Sequence, residues 1–284
     1  MEVWVSKGFL IFAQNTDTVD YVKQAYALAL SIKFSQRDIT SVSIVTNSDV
    51  PAAYKSAFDQ IIPIPWFDET SGSVLQGEHR WKMYHVSPYT ETIVLDSDML
   101  MLEDISIWWD YCNAYDLKFC SRIKNYKLDV VNDTFHRKAF IANKLPSPYF
   151  ALHYFKKSDV AHDFYKVLEF VCNNWAWCYE KFAPEYFQNW LSMDLASAIA
   201  IELMGLHDQA VDVANPMEFI HMKTPIQGWS TIPASWNDAV PYVFNRRGEL
   251  MVGNIKQSRL FHYVEKQFIS DDILAKLEVL CNGS

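Results

Sequence analysis

Nowhere in the 284-residue chain does an apolar run approach the ~20 residues that a membrane-spanning helix needs, so no transmembrane anchor is expected. Basic charge is also short. With 25 Lys and Arg against 34 Asp and Glu the net charge is −9, which speaks against a broad cationic face gripping a phosphate backbone. The five cysteines (Cys112, Cys120, Cys172, Cys178 and Cys281) are odd in number and lack Cys-x-x-Cys spacing. Neither a disulfide framework nor a structural zinc is indicated, and reduced thiols in a cytoplasmic setting fit best. Met1-Glu2-Val3-Trp4 carries an acid where a signal peptide carries positive charge, and the run Gly8–Ala13 is short for one, so it reads as a strand. The sequence shows no internal repeat and no low-complexity linker.

Half of the residues are hydrophobic and 15% are aromatic, ten of them Trp, enough for one large domain with a substantial core. The first hundred residues alternate β-rich and helical runs, the pattern of a parallel sheet covered by helices. Gly8–Phe12, Ser41–Val45, Gln60–Ile64 and Thr92–Leu95 read as strands, Val19–Ile32 as a helix and Ala52–Phe58 as a short one. From Trp108 to Pro148 the windows conflict, and a second lobe is expected there. Tyr149–Lys156 reads as a strand. Ser158 caps a helix from Val160 to about Trp175, Ser192–Met204 is a helix ended by Gly205, and a last helix spans about Asp271–Leu280. Asn215–Arg247, rich in Pro, Gly, Asn and Trp, reads as irregular.

Asp96 and Asp98 follow directly on Ile93-Val94-Leu95, at the carboxyl edge of the expected sheet, where open α/β folds place their ligands. Two carboxylates one residue apart can turn to a common point and hold a hard cation together with substrate phosphates. A loop capping a helix near Ile105 is the alternative.

The run Tyr89–Leu102, with Asp96-Ser97-Asp98 at its centre, resembles the nucleotide-sugar-binding segment of GT-A glycosyltransferases, most closely the retaining family 8 group that includes glycogenin. The likeness covers residues 8 to about 104 and re-emerges over 149–204 and 250–268. It implies one GT-A domain over 1–284, with a Rossmann-like, mostly parallel sheet flanked by helices: residues 1–104 form the nucleotide-sugar half, and 105–284 a smaller acceptor-side lobe with the C-terminal metal ligand. It implies Mn²⁺ (or Mg²⁺) as cofactor and a nucleotide-sugar donor, with UDP-sugar the usual one. Asp98 and Asp96 would bind the metal that bridges the diphosphate, with Asp96 also near the ribose and Ser97 between them part of the donor-binding segment. In Arg259–Lys266, His262 would be the third metal ligand and Lys266 would touch the leaving diphosphate, although the family's Gly and Pro are missing and the spacing is tighter.

Arg80 and Lys82 stand sixteen and fourteen residues before Asp96, where the resemblance implies a basic donor contact; counting favours Arg80. Either is equally a solvated helix charge. Ala13-Gln14-Asn15-Thr16, with Asp17 and Tyr21 nearby, resembles the segment that holds base and ribose, and serves as well as a turn with an N-cap. Asp194 corresponds to an acid under the donor sugar, or simply favours its helix dipole. The family's Asn-Ser-Gly strand is matched only in position, by Tyr149–Phe155. Trp229 and Trp236 are candidate stacking faces or core anchors.

The expected activity is metal-dependent transfer of a sugar to an acceptor left open among protein, glycan, lipid-linked sugar and modified nucleic-acid base. Oligomeric state is open too. A nucleotidyltransferase would carry a Gly-rich loop after the first strand, which Gln14-Asn15-Thr16-Asp17 is not. A non-catalytic glycan-binding protein is the other alternative, and the presence of Asp96, Asp98 and His262 together argues against it.

Overall fold

The computed structural model describes residues 5–66, 76–131, 136–186, 188–212 and 214–282. Met1–Trp4, read above as no leader, lies outside them. The strands begin with β1 (Val5–Phe12), β2 (Val42–Val45), β3 (Gln60–Ile62), β4 (Tyr89–Asp96) and β5 (Met99–Met101). Next come β6 (Leu117–Cys120), β7 (Arg122–Lys124), β8 (Val130–Val131), β9 (Tyr149–Lys156) and β10 (Glu218–His221). The last are β11 (Tyr242–Phe244), β12 (Leu250–Val252), β13 (Ile255–Lys256) and β14 (Leu260–His262).

A six-stranded sheet has the order β3-β2-β1-β4-β9-β6. β1 to β4 run parallel, and β9 is antiparallel on the far edge of β4. Successive side chains on a strand point to opposite faces. Phe9, Ile11, Ile93 and Leu95 accordingly pack with the helices Tyr21–Ser35 and Asp271–Asn282, whereas Leu10 and Val94 pack with Asp159–Asn173 and Met193–Met204. Burial on both faces explains the near-continuous apolar runs of β1 and β4. Gly8 is needed where β4 comes close: a Cβ there would lie 2.4 Å from the Tyr89 ring.

The chain leaves β1 for β2 on one side, while β4 pairs on the other, so the winding reverses between β1 and β4. Such a switch point opens a crevice at the carboxyl ends of the strands. Phe12 is in register with Asp96, which puts both strand ends at its mouth.

A second sheet has the order β5-β14-β10-β7-β8. Only Ser97 and Asp98 separate β4 in the first sheet from β5 in the second. β14 pairs antiparallel with β5, and the register sets His262 opposite Met99, one residue beyond Asp98. A distant histidine thereby reaches the acids. β11, β12 and β13 form a small antiparallel sheet.

Several helix ends obey the local rules. Asp20 accepts from Lys23 N at the start of Tyr21–Ser35, Ser158 accepts from Ala161 N, and Gly205 closes Met193–Met204 at φ +64°. Other expectations need correction. Ala52–Phe58 is only a 3₁₀ turn at Lys55–Ala57, ended by Phe58 in extended conformation just before β3. The stretch 108–148 is shared between sheets, β6 edging the first and β7 and β8 the second. Asn215–Arg247 is not wholly irregular: it contains β10, which is short but fully buried. No helix among the described residues is long and apolar enough to cross a membrane.

Trp236 is fully buried and its indole N–H donates to Tyr263 O at 2.7 Å, pinning the loop after β14 to the core. Trp236→Ala is expected to cost about 3–5 kcal/mol by leaving a cavity and an unpaired carbonyl. The shift in the urea midpoint measures it; a change under ~1 kcal/mol would contradict this packing.

Candidate active site

Asp96 ends β4, Asp98 is 6% exposed in the crossover, and His262 ends β14. One ligand atom from each lies within 4.8 Å of the others. His262 Nε2 sits 3.1 Å from Asp98 Oδ1, and Lys266 Nζ donates to Asp98 Oδ2 at 2.5 Å. Arg80 pairs with Asp96. Burial pushes the Asp98 carboxyl up, but the charges and hydrogen bonds of His262 and Lys266 outweigh it and hold it well below the usual carboxylate range. For Lys266, too, burial is outweighed, and Asp98 holds the ammonium above its ordinary value. Two carboxylates and one imidazole form a hard-to-borderline O/O/N set, which suits Mn²⁺ and accepts Mg²⁺.

Two cavities meet at this cluster. One, of about 340 Å³, runs past Phe12, Gln14, Thr16 and Tyr21 to Ser97, Val264 and Lys266. The other, of about 210 Å³, is walled by Arg137, Tyr149, Ala151, Gln188, Trp190 and Asp194. Arg80, Asp96, His221, Lys223 and His262 line both.

The expected residues divide by placement. Gln14, Thr16, Tyr21, Arg80, Asp96, Ser97, Asp98, His262 and Lys266 all line the larger cavity. Ala13 is buried behind it, and Asn15 is a scaffold: its side chain accepts from Val22 N at 2.9 Å, and its N–H donates to Ser48 Oγ. The capping alternative therefore describes Asn15. Asp17 is exposed and lines neither cavity. Lys82 is also outside both; it is buried, with Nζ donating to Pro65 O, so of the two basic candidates Arg80 is the one at the cluster. Asp194 lines the smaller cavity with both oxygens engaged, one by Phe150 N at 2.8 Å and one by Arg137 at 3.0 Å. Trp229 and Trp236 line neither cavity. Trp229 packs on Tyr126, while Trp236 is the core anchor described above.

Sequence reading missed His221, Lys223 and Arg137. His221 is 3% exposed and lies flat on His262, 4.6 Å between ring centres and 18° between planes. Burial, then the His262 charge, keeps it well below the ordinary histidine value, so this imidazole is neutral. Its signal was the apolar pair Phe219-Ile220 just before it, too short between Pro216 and Pro225 to read as a strand. Arg137, at the N-cap of the helix Lys138–Asn143, lies 3.5 Å over the ring of Tyr149, the first residue of the strand where the resemblance had no matching motif.

A parallel-rich central sheet flanked by helices, opening a crevice at its switch point, is the GT-A fold expected from the sequence. Solved structures bear out the fold. The chain is similar to the galactosyltransferase LgtC, solved with donor and acceptor sugar analogues, at TM-score 0.50 and 12% identity over 97% of this chain and 95% of that one. It is similar to the bifunctional glycosyltransferase WbbM at TM-score 0.51 and 11% identity over 96% of this chain and 49% of that one. The glycosyltransferase GlyE of Streptococcus pneumoniae TIGR4 is 14% identical at TM-score 0.49; the match takes in 98% of this chain and spans 63% of GlyE's length. No family profile and no curated protein matches the chain.

Proposed function

We propose that the chain is a metal-dependent glycosyltransferase that moves a sugar from a nucleoside-diphosphate donor, of which UDP-sugar is the first candidate, to an acceptor hydroxyl with retention. The observation that carries this reading is the meeting of Asp96, Asp98 and His262 between a cavity in the size range of small-molecule sites and a second one suited to a single ring. The nucleoside diphosphate takes the larger cavity, with Gln14 and Thr16 toward the nucleoside and Lys266 toward the phosphates. The transferred sugar takes the smaller, where the Arg137–Asp194 pair offers donors and acceptors to its hydroxyls and Tyr149 and Trp190 offer ring faces.

Asp96, Asp98 and His262 would hold Mn²⁺ or Mg²⁺, which supplies Lewis-acid neutralisation of the diphosphate. Arg80 keeps Asp96 oriented at the boundary between the cavities. His221, flat against His262, fixes the plane of that ring.

Incubation with Mn²⁺ and a panel of UDP- and GDP-sugars, with release of nucleoside diphosphate as readout and EDTA as control, tests the reading. Metal-dependent release from at least one donor is expected. No release and no metal-dependent binding of any donor would sink it. His262→Ala is expected to weaken Mn²⁺ binding by about 100-fold, since one of three protein ligands is lost. Calorimetry reads this directly, and unchanged affinity would remove His262 from the ligand set.

A further inference from the structure

We infer that the acceptor is a carbohydrate, and that one of its rings lies on the indole of Trp190 at the mouth of the smaller cavity. The inference rests on the donor reading above, which puts the transferred sugar in that cavity. A space of about 210 Å³ takes a single ring. Trp190 lines it and is still 51% exposed, so half of the side chain stands outside, beyond the reach of the transferred sugar. The molecule that meets this outer half while the sugar is in place is the one that receives it.

Trp190 differs from the other exposed indoles. Trp66 stacks on Trp81, and Trp177 meets Phe170 and Phe182 edge-on. Among the described residues no aromatic ring or cation packs on the Trp190 indole and no acceptor takes its N–H; only its backbone carbonyl is engaged, by Gln188 Nε2 at 3.0 Å. The loop that carries it is nonetheless braced at both ends. Asn143 clamps Glu185, accepting from its N–H at 2.9 Å and donating to its carbonyl at 2.5 Å. The buried Tyr179 hydroxyl holds Ser192 in the same way, accepting from its N–H at 3.0 Å and donating to its carbonyl at 3.1 Å. A large apolar ring held out by a braced loop keeps its outer area in water until a ligand covers it, and little ordering remains to oppose that ligand.

The groups around the ring select the class of ligand. An indole face carries negative charge density, which suits the polarised C–H bonds on one face of a pyranose. The hydroxyls at the edge of such a sugar need both donors and acceptors. Gln188 keeps Oε1 unengaged, and the exposed Asn189 has no side-chain partner among the described residues, so these two amides and the indole N–H supply both. Residues 183–192 include no Lys or Arg and one acid, Glu185, so this loop has no grip for a nucleic-acid backbone. A serine or threonine hydroxyl brings no ring to cover the indole. In the transfer the anomeric C–O bond breaks with its electron pair left on the β-phosphate oxygen. A hydroxyl oxygen of the stacked sugar bonds to the anomeric carbon, and its proton passes to the departing phosphate. Stacking on Trp190 holds that hydroxyl toward the carbon.

The test offers the protein, with Mn²⁺ and the donor that proves active, three kinds of acceptor. These are methyl glycosides and disaccharides of glucose and galactose, a peptide containing serine, threonine and tyrosine, and a single-stranded oligonucleotide. At least one glycoside is expected to speed nucleoside diphosphate release about tenfold or more and to gain the mass of one sugar. Trp190→Ala is expected to raise the KM for that glycoside about tenfold or more with a clearly smaller rise in donor KM, and Trp190→Phe to recover most of the loss. Circular dichroism checks that both variants are folded. Acceleration by the peptide or the oligonucleotide and by no glycoside would overturn the inference. So would equal rises in the two KM values, which would assign the indole to the transferred sugar alone, or no rise in either. A wild-type protein that releases no nucleoside diphosphate from any donor would overturn the donor reading and this inference together; release that no glycoside speeds would overturn this inference alone.

Discussion

Asp98→Ala should abolish metal-dependent turnover, a loss of at least about 10³-fold, and leave the fold intact. Asp98 is nearly fully buried, and one oxygen faces His262 while the other faces Lys266, so no neighbouring group can substitute for it. Its removal takes one carboxylate from the set Asp96, Asp98 and His262 and leaves two cationic or polar partners facing each other. A divalent ion would meet less negative charge and one fewer oxygen, so metal affinity and charge neutralisation fall together. The packing loss is small because the side chain is short and borders a cavity. Donor turnover measured across a Mn²⁺ titration, beside circular dichroism, separates chemistry from unfolding. Near-normal turnover in a folded Asp98→Ala protein would take this residue out of the site. Asp98→Asn, which keeps the volume and removes only the charge, should be nearly as impaired.

Replacing Lys266 by Met is expected to act in two opposite directions. The ammonium lies 2.5 Å from Asp98 Oδ2 and is raised above its ordinary value by that carboxylate, so it already neutralises part of the charge that a divalent ion would seek. Without it, Mn²⁺ alone should bind several-fold more tightly, because the cation competing for Asp98 is gone. Turnover should nevertheless fall by about 10²–10³-fold, since the diphosphate loses a fixed positive charge at the moment of departure. Mn²⁺ binding followed by electron paramagnetic resonance without nucleotide, together with kcat on the active donor, reads both effects. Weaker metal binding in the variant would show that Lys266 supports the ligands rather than competing with the ion.

The part of this site that could be read from the sequence is the part written locally. Ile93-Val94-Leu95 followed by two acids signals a buried strand ending at a ligand edge, and β4 with Asp96 and Asp98 lies there. The turn after β1 was legible for the same reason, although Asn15 proved to hold the turn itself while Gln14 and Thr16 line the cavity. His262 was reached through resemblance alone, since nothing local says that β14 pairs with β5 in the register that sets it opposite Met99. His221 and Lys223 were hidden because β10 is four residues long and its burial comes from neighbours distant in sequence. Arg137 was hidden in a stretch with no clear period; its meaning comes from Tyr149 below it and Asp194 beside it. Lys82 shows the limit of counting. Two residues past Arg80, on a tight helical turn, it faces Pro65 rather than the cluster.

The crossover at Ser97 and Asp98 gives ligand binding a mechanical side. Asp96 belongs to the six-stranded sheet, and His262 to the five-stranded one. A metal–donor complex held by both is a clasp across the seam, because parting the sheets would separate its ligands. On the proposed reading, a ligand held only when both sheets are in place would disfavour any state in which they part, by about 2.7 kcal/mol at a ligand concentration one hundred times the dissociation constant. A loaded protein would then be stiffer along this line than an unloaded one, with the two walls of the cavity aligned by the ligand that spans them.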